Sequence, residues 1–203
     1  MSQKNKGIYS LFSNTFFYSL IQRIMSATSF REKIIKKYVT NHNIKVLDVG
    51  CGPAKILGAL PKISYYGFDI NPQYIKSAKK KYGNRGKFFC KKFTINDTKR
   101  LPKFDCVFLL GILHHLNDKE INMLMINIKK VLKRRGSIIT LDNIFIKNQN
   151  LIAKFLIAMD KGDNVRSKNG YLSILKKHFK KINSKVYHQK FIPYTWFVTN
   201  CTR

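Results

Sequence analysis

Val46-Leu47-Asp48-Val49-Gly50-Cys51-Gly52-Pro53-Ala54 carries a short run of apolar residues into a glycine turn. Apolar residues from Ile44 to Val49 predict a buried strand. Glycines directly after it let the backbone turn sharply and approach a ligand closely. An acidic residue, Asp69, follows 21 residues after Asp48, at the end of the next predicted strand. A carboxylate there is placed to hold both hydroxyls of a ribose, as in nucleotide-binding α/β folds.

Working outward, strand-like and helix-like segments alternate. A helix is predicted from the turn to about Leu60, then a strand over Ser64–Phe68. Asn71-Pro72 opens a helix through Lys81, with Asn as cap and Pro at the first helical position. Lys87–Cys90 and Phe104–Leu110 read as strands three and four. A helix over Asn117–Leu132, capped by Asn117 or Asp118, ends at Arg135-Gly136, and Ser137–Leu141 is strand five. Helical stretches at Asn150–Met159 and Tyr171–Phe179 precede two long strand candidates, Lys181–His188 and Phe191–Thr199, separated by Gln189-Lys190. The rhythm predicts an α/β, doubly wound sheet of seven strands, five parallel plus a C-terminal antiparallel hairpin. Residues 1–43 form a predicted N-terminal helical cap and 44–203 one domain. Within the cap, Ile8, Phe12, Phe16, Leu20 and Ile24 recur at i+4 as a broad apolar stripe. That stripe suits either a lid or a membrane-facing surface.

At 203 residues the chain has room for one packed domain and a short appendage. No apolar run reaches the roughly 18 residues of a membrane span, and the N-terminus lacks the layout of a signal peptide. The expected setting is the cytoplasm. Cys51, Cys90, Cys106 and Cys201 form no CxxC pair, and no His lies beside them at metal spacing, so no metal is expected. Thirty-nine Lys+Arg against ten Asp+Glu give a formal charge of +29. This suits an anionic partner: RNA, a phosphorylated sugar or lipid, or a membrane surface. A composition biased toward Lys, Asn and Ile accounts for it equally: 31 of the 39 are Lys, and Arg, the better bidentate phosphate reader, is scarce.

The turn also discriminates between cofactors. A pyrophosphate cradle wants a third glycine where Lys55 stands. Asp48, just before the turn, suits a positive ligand end, and S-adenosylmethionine (SAM) carries a sulfonium and an ammonium without phosphate. VLDVGCGPAKIL, YYGFDINPQYIKSAKKKYG, FDCVFLLGILHHL and RRGSIITLD resemble, in order and spacing over about residues 44–142, the motifs of class I SAM-dependent methyltransferases with a Rossmann-like sheet. The closer likeness is to the small-molecule branch (methyltransferase type 11/25), and IYSLFSN, DKGDNVR and IPYT resemble a bacterial subgroup of unknown substrate. The resemblance implies that Asp48, Gly50, Cys51 and Gly52 line the methionyl end of SAM. Asp69 would hold the ribose, with Ile70 packed on the adenine and Phe93 and Thr94 flanking it. Gly111 would lie near the methionyl group. Two departures stand out: Ala54 where many relatives have glycine, and Asp97 later than the usual acidic partner of the adenine amine.

Methyl transfer from a sulfonium is an in-line displacement, so alignment supplies much of the catalysis. A base is needed where the acceptor loses a proton. His114 and His115 after strand four and Asp142 after strand five stand where open α/β sheets place ligands. Arg166, Tyr171 and Tyr194 are candidate acceptor contacts, with Asp160 as an alternative ion-pair partner for Arg166. The expected reaction is methyl transfer to an oxygen or nitrogen of a small molecule, an anionic one where the basic charge reflects its partner. RNA is the rival acceptor. However, strand four lacks the Asn/Asp-Pro-Pro-Tyr box of amino-methylating nucleic-acid enzymes, and the Pro-Cys nucleophile of cytosine-C5 enzymes is absent. A non-catalytic module binding an anionic surface is the third reading.

Overall fold

The computed structural model describes residues 28–159, 164–188 and 194–202. Seven strands make one sheet: β1 (Lys45–Val49), β2 (Ser64–Asp69), β3 (Gly86–Cys90), β4 (Phe104–Leu110), β5 (Leu132–Asn143), β6 (Lys181–His188) and β7 (Thr195–Thr202). Their order is β3-β2-β1-β4-β5-β7-β6. Strands β1 to β5 run parallel, and β7 lies antiparallel to both β5 and β6. The doubly wound sheet with a terminal hairpin is therefore as expected.

The central strands are apolar on both sides because helices cover both faces. Val107, Phe108 and Leu109 of β4 are fully buried, each side chain contributing about 1.5–3 kcal/mol. On β1, Val46 faces a core that includes Ile34 and Ile35 of α1 (Thr28–Tyr38) and Ile75 and Ala78 of α2 (Pro72–Tyr82). Leu47 and Val49 face the other core, with Met125 and Ile128 of α3 (Asp118–Val131) and Ile174 of α5 (Lys168–Leu175). The short α4 (Leu151–Met159) adds Ile157 to the first core.

Several boundaries differ from the sequence reading. The segment after the glycine turn is a five-residue 3-10 turn, Lys55–Ala59, rather than an α-helix. Strand five begins at Leu132 and runs to Asn143. Its pairing jumps from Phe104↔Leu132 to Cys106↔Ser137, so Lys133–Gly136 bulge from the ladder instead of ending the helix. Of the expected strand over residues 191–199, 191–193 lie outside the described residues, as do Asp160 and the stripe over residues 8–25. Ile34, Ile35 and Val39, in the predicted cap, are buried in the core that contains Val46. Among the described residues, no helix is long and apolar enough to cross a membrane.

Candidate active site

Beyond Val49 the chain must reverse over the carboxyl edge of the sheet, and it does so through left-handed backbone at Gly50 (φ 76°), Gly52 (φ 54°) and Ala54 (φ 52°). Ala54 holds this conformation at a cost of about 1 kcal/mol. The amides of Gly50 and Cys51 both donate to the Phe68 carbonyl, at 2.8 and 3.0 Å. Gly52 N–H donates to Asp69 Oδ2 at 2.8 Å, and Asn71 N–H donates to Asp69 Oδ1 at 2.8 Å. One carboxylate thus joins the first turn to the cap of α2. Each of its oxygens has a further lone pair for a ligand hydroxyl.

The two glycines differ in what surrounds them. A Cβ on Gly50 would lie 2.8 Å from Ile112 Cδ1, whereas one on Gly52 meets nothing within 4 Å. Gly52→Ala is expected to cost the unliganded fold about 1–2 kcal/mol for its left-handed backbone. Its methyl would project into the open side of the turn and weaken S-adenosylhomocysteine (SAH) binding by about tenfold. Thermal melting and calorimetric titration separate the two effects, and unchanged affinity would remove Gly52 from the site.

Asp48 lies on the α1 side of β1 and is 2% exposed. Tyr65 Oη donates to its Oδ2 at 2.5 Å, while its buried Oδ1 has no hydrogen-bond partner among the described residues. Burial pushes its pKa up to about 7, against the Tyr65 hydrogen bond and the positive field of Arg31, with Asp69 adding to the rise. The raised value means that the unliganded fold favours a protonated Asp48. That contribution is whole below about pH 4 and is lost as pH climbs through about 7. A cationic ligand needs the ionised form, so its binding releases a proton. SAH affinity is expected to rise between about pH 6 and pH 8 and to flatten in Asp48→Asn. A flat wild-type profile would separate Asp48 from the ligand. Burial, then Asp48 and Asp69, also push the Cys51 thiol up, which disfavours its thiolate.

At the expected adenine end, Ile70 is 74% exposed directly after β2. The Phe93 ring is buried, edge-on to Phe68 at 5.4 Å. Thr94 donates to Asp97 Oδ2 through both its amide and its hydroxyl at 2.9 Å, and Lys91 pairs with the same carboxylate. Asp97 therefore shapes the loop after β3 from within.

After β4, Gly111 (φ 78°) donates to the Leu141 carbonyl at 2.6 Å. Leu113–His115 form a 3-10 turn that buries His114. His114 Nδ1 lies 2.8 Å from Asp142 Oδ1, and the His114 amide donates to the same oxygen at 3.2 Å. Asp142 is buried, and its Oδ2 has no hydrogen-bond partner among the described residues. His115 is exposed, with its ring 4.1 Å from that of His114. The structure thus brings His114, His115 and Asp142 together.

The three expected acceptor contacts are engaged within the protein. Arg166 donates to the carbonyls of Leu113 (3.2 Å), Asn164 (2.8 Å) and Leu116 (2.8 Å), and to Asp118 Oδ1 from both Nε (3.0 Å) and Nη2 (2.6 Å). Its ion-pair partner here is Asp118. Tyr171 is buried, donates to the Asn143 carbonyl at 3.2 Å and stacks on Phe197. Burial and the charge of Asp142 push its hydroxyl up. Tyr194 is buried too, accepting from Asn143 Nδ2 at 2.9 Å. A tyrosine between helical residues, or an arginine in a loop, gives no sequence sign of whether it faces a ligand or its own backbone. Arg31 on α1 and Tyr65 on β2 both act on Asp48, and neither carries a sequence sign of that role.

Residues 47–138 match the family model of the methyltransferase domain. The fold is that of a SAM-dependent methyltransferase from Archaeoglobus fulgidus, with a TM-score of 0.69 at 15% identity over 92% of this chain and 100% of that one. Magnesium protoporphyrin IX methyltransferase from Synechocystis, with bound SAH, aligns with a TM-score of 0.63 at 16% identity over 97% of this chain and 98% of that one. Mitomycin 7-O-methyltransferase aligns with a TM-score of 0.63 at 15% identity over 95% of this chain, which spans 59% of that longer protein. No curated protein matches in sequence. The matched segment is similar to a methyltransferase domain, and the fold is one shared with SAM-dependent methyltransferases.

Proposed function

We propose that the chain transfers a methyl group from SAM to an oxygen or nitrogen of a small, anionic acceptor. One observation carries the cofactor half of this reading. The turn tied to Asp69 lies beside Asp48, whose buried Oδ1 has no hydrogen-bond partner among the described residues. A buried carboxylate oxygen in that state calls for a cationic donor, which the methionyl ammonium of SAM supplies. Gly50, Cys51 and Gly52 would carry the methionyl end, with Gly111 beside it. Asp69 would take the ribose, and Ile70, Phe93 and Thr94 form the adenine end.

Bound SAM would supply a methyl group already activated on a sulfonium. The chain aligns the acceptor and, where that acceptor is a hydroxyl, receives its proton. His114, His115 and Asp142 are the proposed group for this. With Nδ1 held by Asp142, the accepting nitrogen of a neutral His114 is Nε2, and exposed His115 is the member that meets solvent. Past β5, a cavity of about 350 Å³ lined by Phe145, Ile146, Asn148, Gln149, Leu151 and Lys154 is of small-molecule size. Lys154 and the +29 charge favour an anionic ligand. The four thiols are free, which fits a cytoplasmic setting.

Calorimetric titration with SAH, followed by transfer of labelled methyl from SAM to candidate metabolites, tests the reading. Micromolar SAH binding and labelled small molecules are expected. Absence of SAH binding overturns the cofactor half, and label appearing in RNA overturns the acceptor half.

A further inference from the structure

We infer that α4 docks the protein on an anionic lipid surface, its outer face entering the interface while Lys147 and Lys154 meet the headgroup phosphates. The helix sequence, LIAKFLIAM, has one charged residue, Lys154, and is apolar on two opposite sides. Ala153 and Ile157 are buried, and Ile157 joins the core that holds Ile34 and Ile35. At about 100° per residue, Leu151, Ile152, Phe155 and Ala158 lie together on the side opposite that pair. Leu151 is 81% exposed and Ile152 is 59% exposed, with Phe155 and Ala158 exposed beside them. A helix that is apolar all round is one that is covered all round. Three large apolar side chains on one outer face also exceed the scattered exposure of an ordinary surface.

Charge selects the cover. Lys147 and Lys154 are exposed, and the chain carries no acidic residue between Asp142 and Asp160. An anionic bilayer complements both features: its acyl boundary takes Leu151, Ile152 and Phe155, and its phosphates take the two lysines. A second copy of the chain would instead bring two proteins of charge +29 face to face. A nucleic acid would meet the cations but not the aliphatic face, because base stacking draws on aromatic rings and Arg. The nine residues of α4 are about 13 Å long. That is far short of the roughly 30 Å of a hydrocarbon core, so the helix lies in the plane of the surface. Leu151 and Lys154 also line the cavity past β5, so docking presents that cavity to the headgroups.

Vesicle flotation of the full chain at about 0.15 M salt tests this. The vesicles are phosphatidylcholine alone, or equal parts phosphatidylcholine and phosphatidylglycerol. Wild type is expected to float with the mixed vesicles and not with the neutral ones. The pair Leu151→Ser with Ile152→Ser leaves the charge unchanged and should weaken binding about 10- to 100-fold. The pair Lys147→Gln with Lys154→Gln should weaken it about 30-fold. Both pairs should melt as wild type does. Equal flotation of wild type and the serine pair overturns the proposal, since overall charge, open to any polyanion including RNA, would then account for binding. Absence of flotation overturns it too. In that case a lower melt in the serine pair would assign the face to another part of the chain. A dimer seen by sedimentation in wild type and lost in the serine pair would assign it to a second copy. None of these readouts uses SAM, so failure here leaves the transfer reaction untouched.

Discussion

Replacing Asp69 with alanine is expected to raise the dissociation constant for SAH by at least about 100-fold. Two charge-assisted hydrogen bonds to a ribose diol contribute about 1.5–3 kcal/mol each. The same carboxylate accepts from Gly52 N–H and Asn71 N–H, so its removal also loosens the turn. Asp69→Asn separates the two roles. The amide oxygen can keep one backbone bond, while its amino group meets the other backbone N–H as donor against donor. Intermediate affinity is expected. Calorimetry with SAH, beside a thermal melt of each variant, is the measurement. An alanine variant that binds SAH as tightly as wild type would remove Asp69 from the site.

The second large effect concerns stability. Arg166→Ala should destabilise the fold by about 2–4 kcal/mol, read as a lower urea midpoint. The side chain is only 13% exposed and donates to three backbone carbonyls. Each acceptor left without a donor in a partly buried turn costs about 1 kcal/mol. The pair with Asp118 adds little, because that carboxylate is 66% exposed. Arg166→Lys should not restore stability, since one ammonium cannot span three carbonyls and a carboxylate as the guanidinium does. If Arg166→Ala keeps full stability and loses only turnover, the role expected from sequence, holding the acceptor, is the right one.

The contrast between Asp69 and Arg166 shows which parts of the site were legible. Asp69 stands at the end of a strand after a glycine turn, and both features are periodic and local, so spacing alone located it. Strand β4 was readable residue for residue, because a parallel strand covered on both faces is, after Asp105 near its start, a continuous apolar run. The bulge in β5 was not, since Lys133–Gly136 look like a helix end and only the pairing with Phe104 draws Leu132 into the ladder. The internal partners of Arg166, Tyr171 and Tyr194 were not legible for a related reason. Their partners are a main-chain carbonyl or a residue about fifty positions away, such as Asp118 or Asn143, and no short spacing encodes such meetings. Arg31 escaped notice because α1 was read as part of a separate cap, whereas Ile34 and Ile35 pack it into the main core.

The placing of β7 between β5 and β6 bears on how the polypeptide comes off the ribosome. Strand β6 emerges first but has no neighbour to pair with until Thr195–Thr202 have been made and have slotted against β5. Through that interval β5 presents an open edge flanked by Ile138, Ile139 and Leu141, the kind of surface that templates aggregation. A nascent chain stalled before Thr195 should therefore depend on chaperones far more than one stalled after Thr202. For this fold, the step that completes the sheet is insertion of a late strand into its interior, a slow, non-local event in which strand order in the sheet departs from strand order in synthesis.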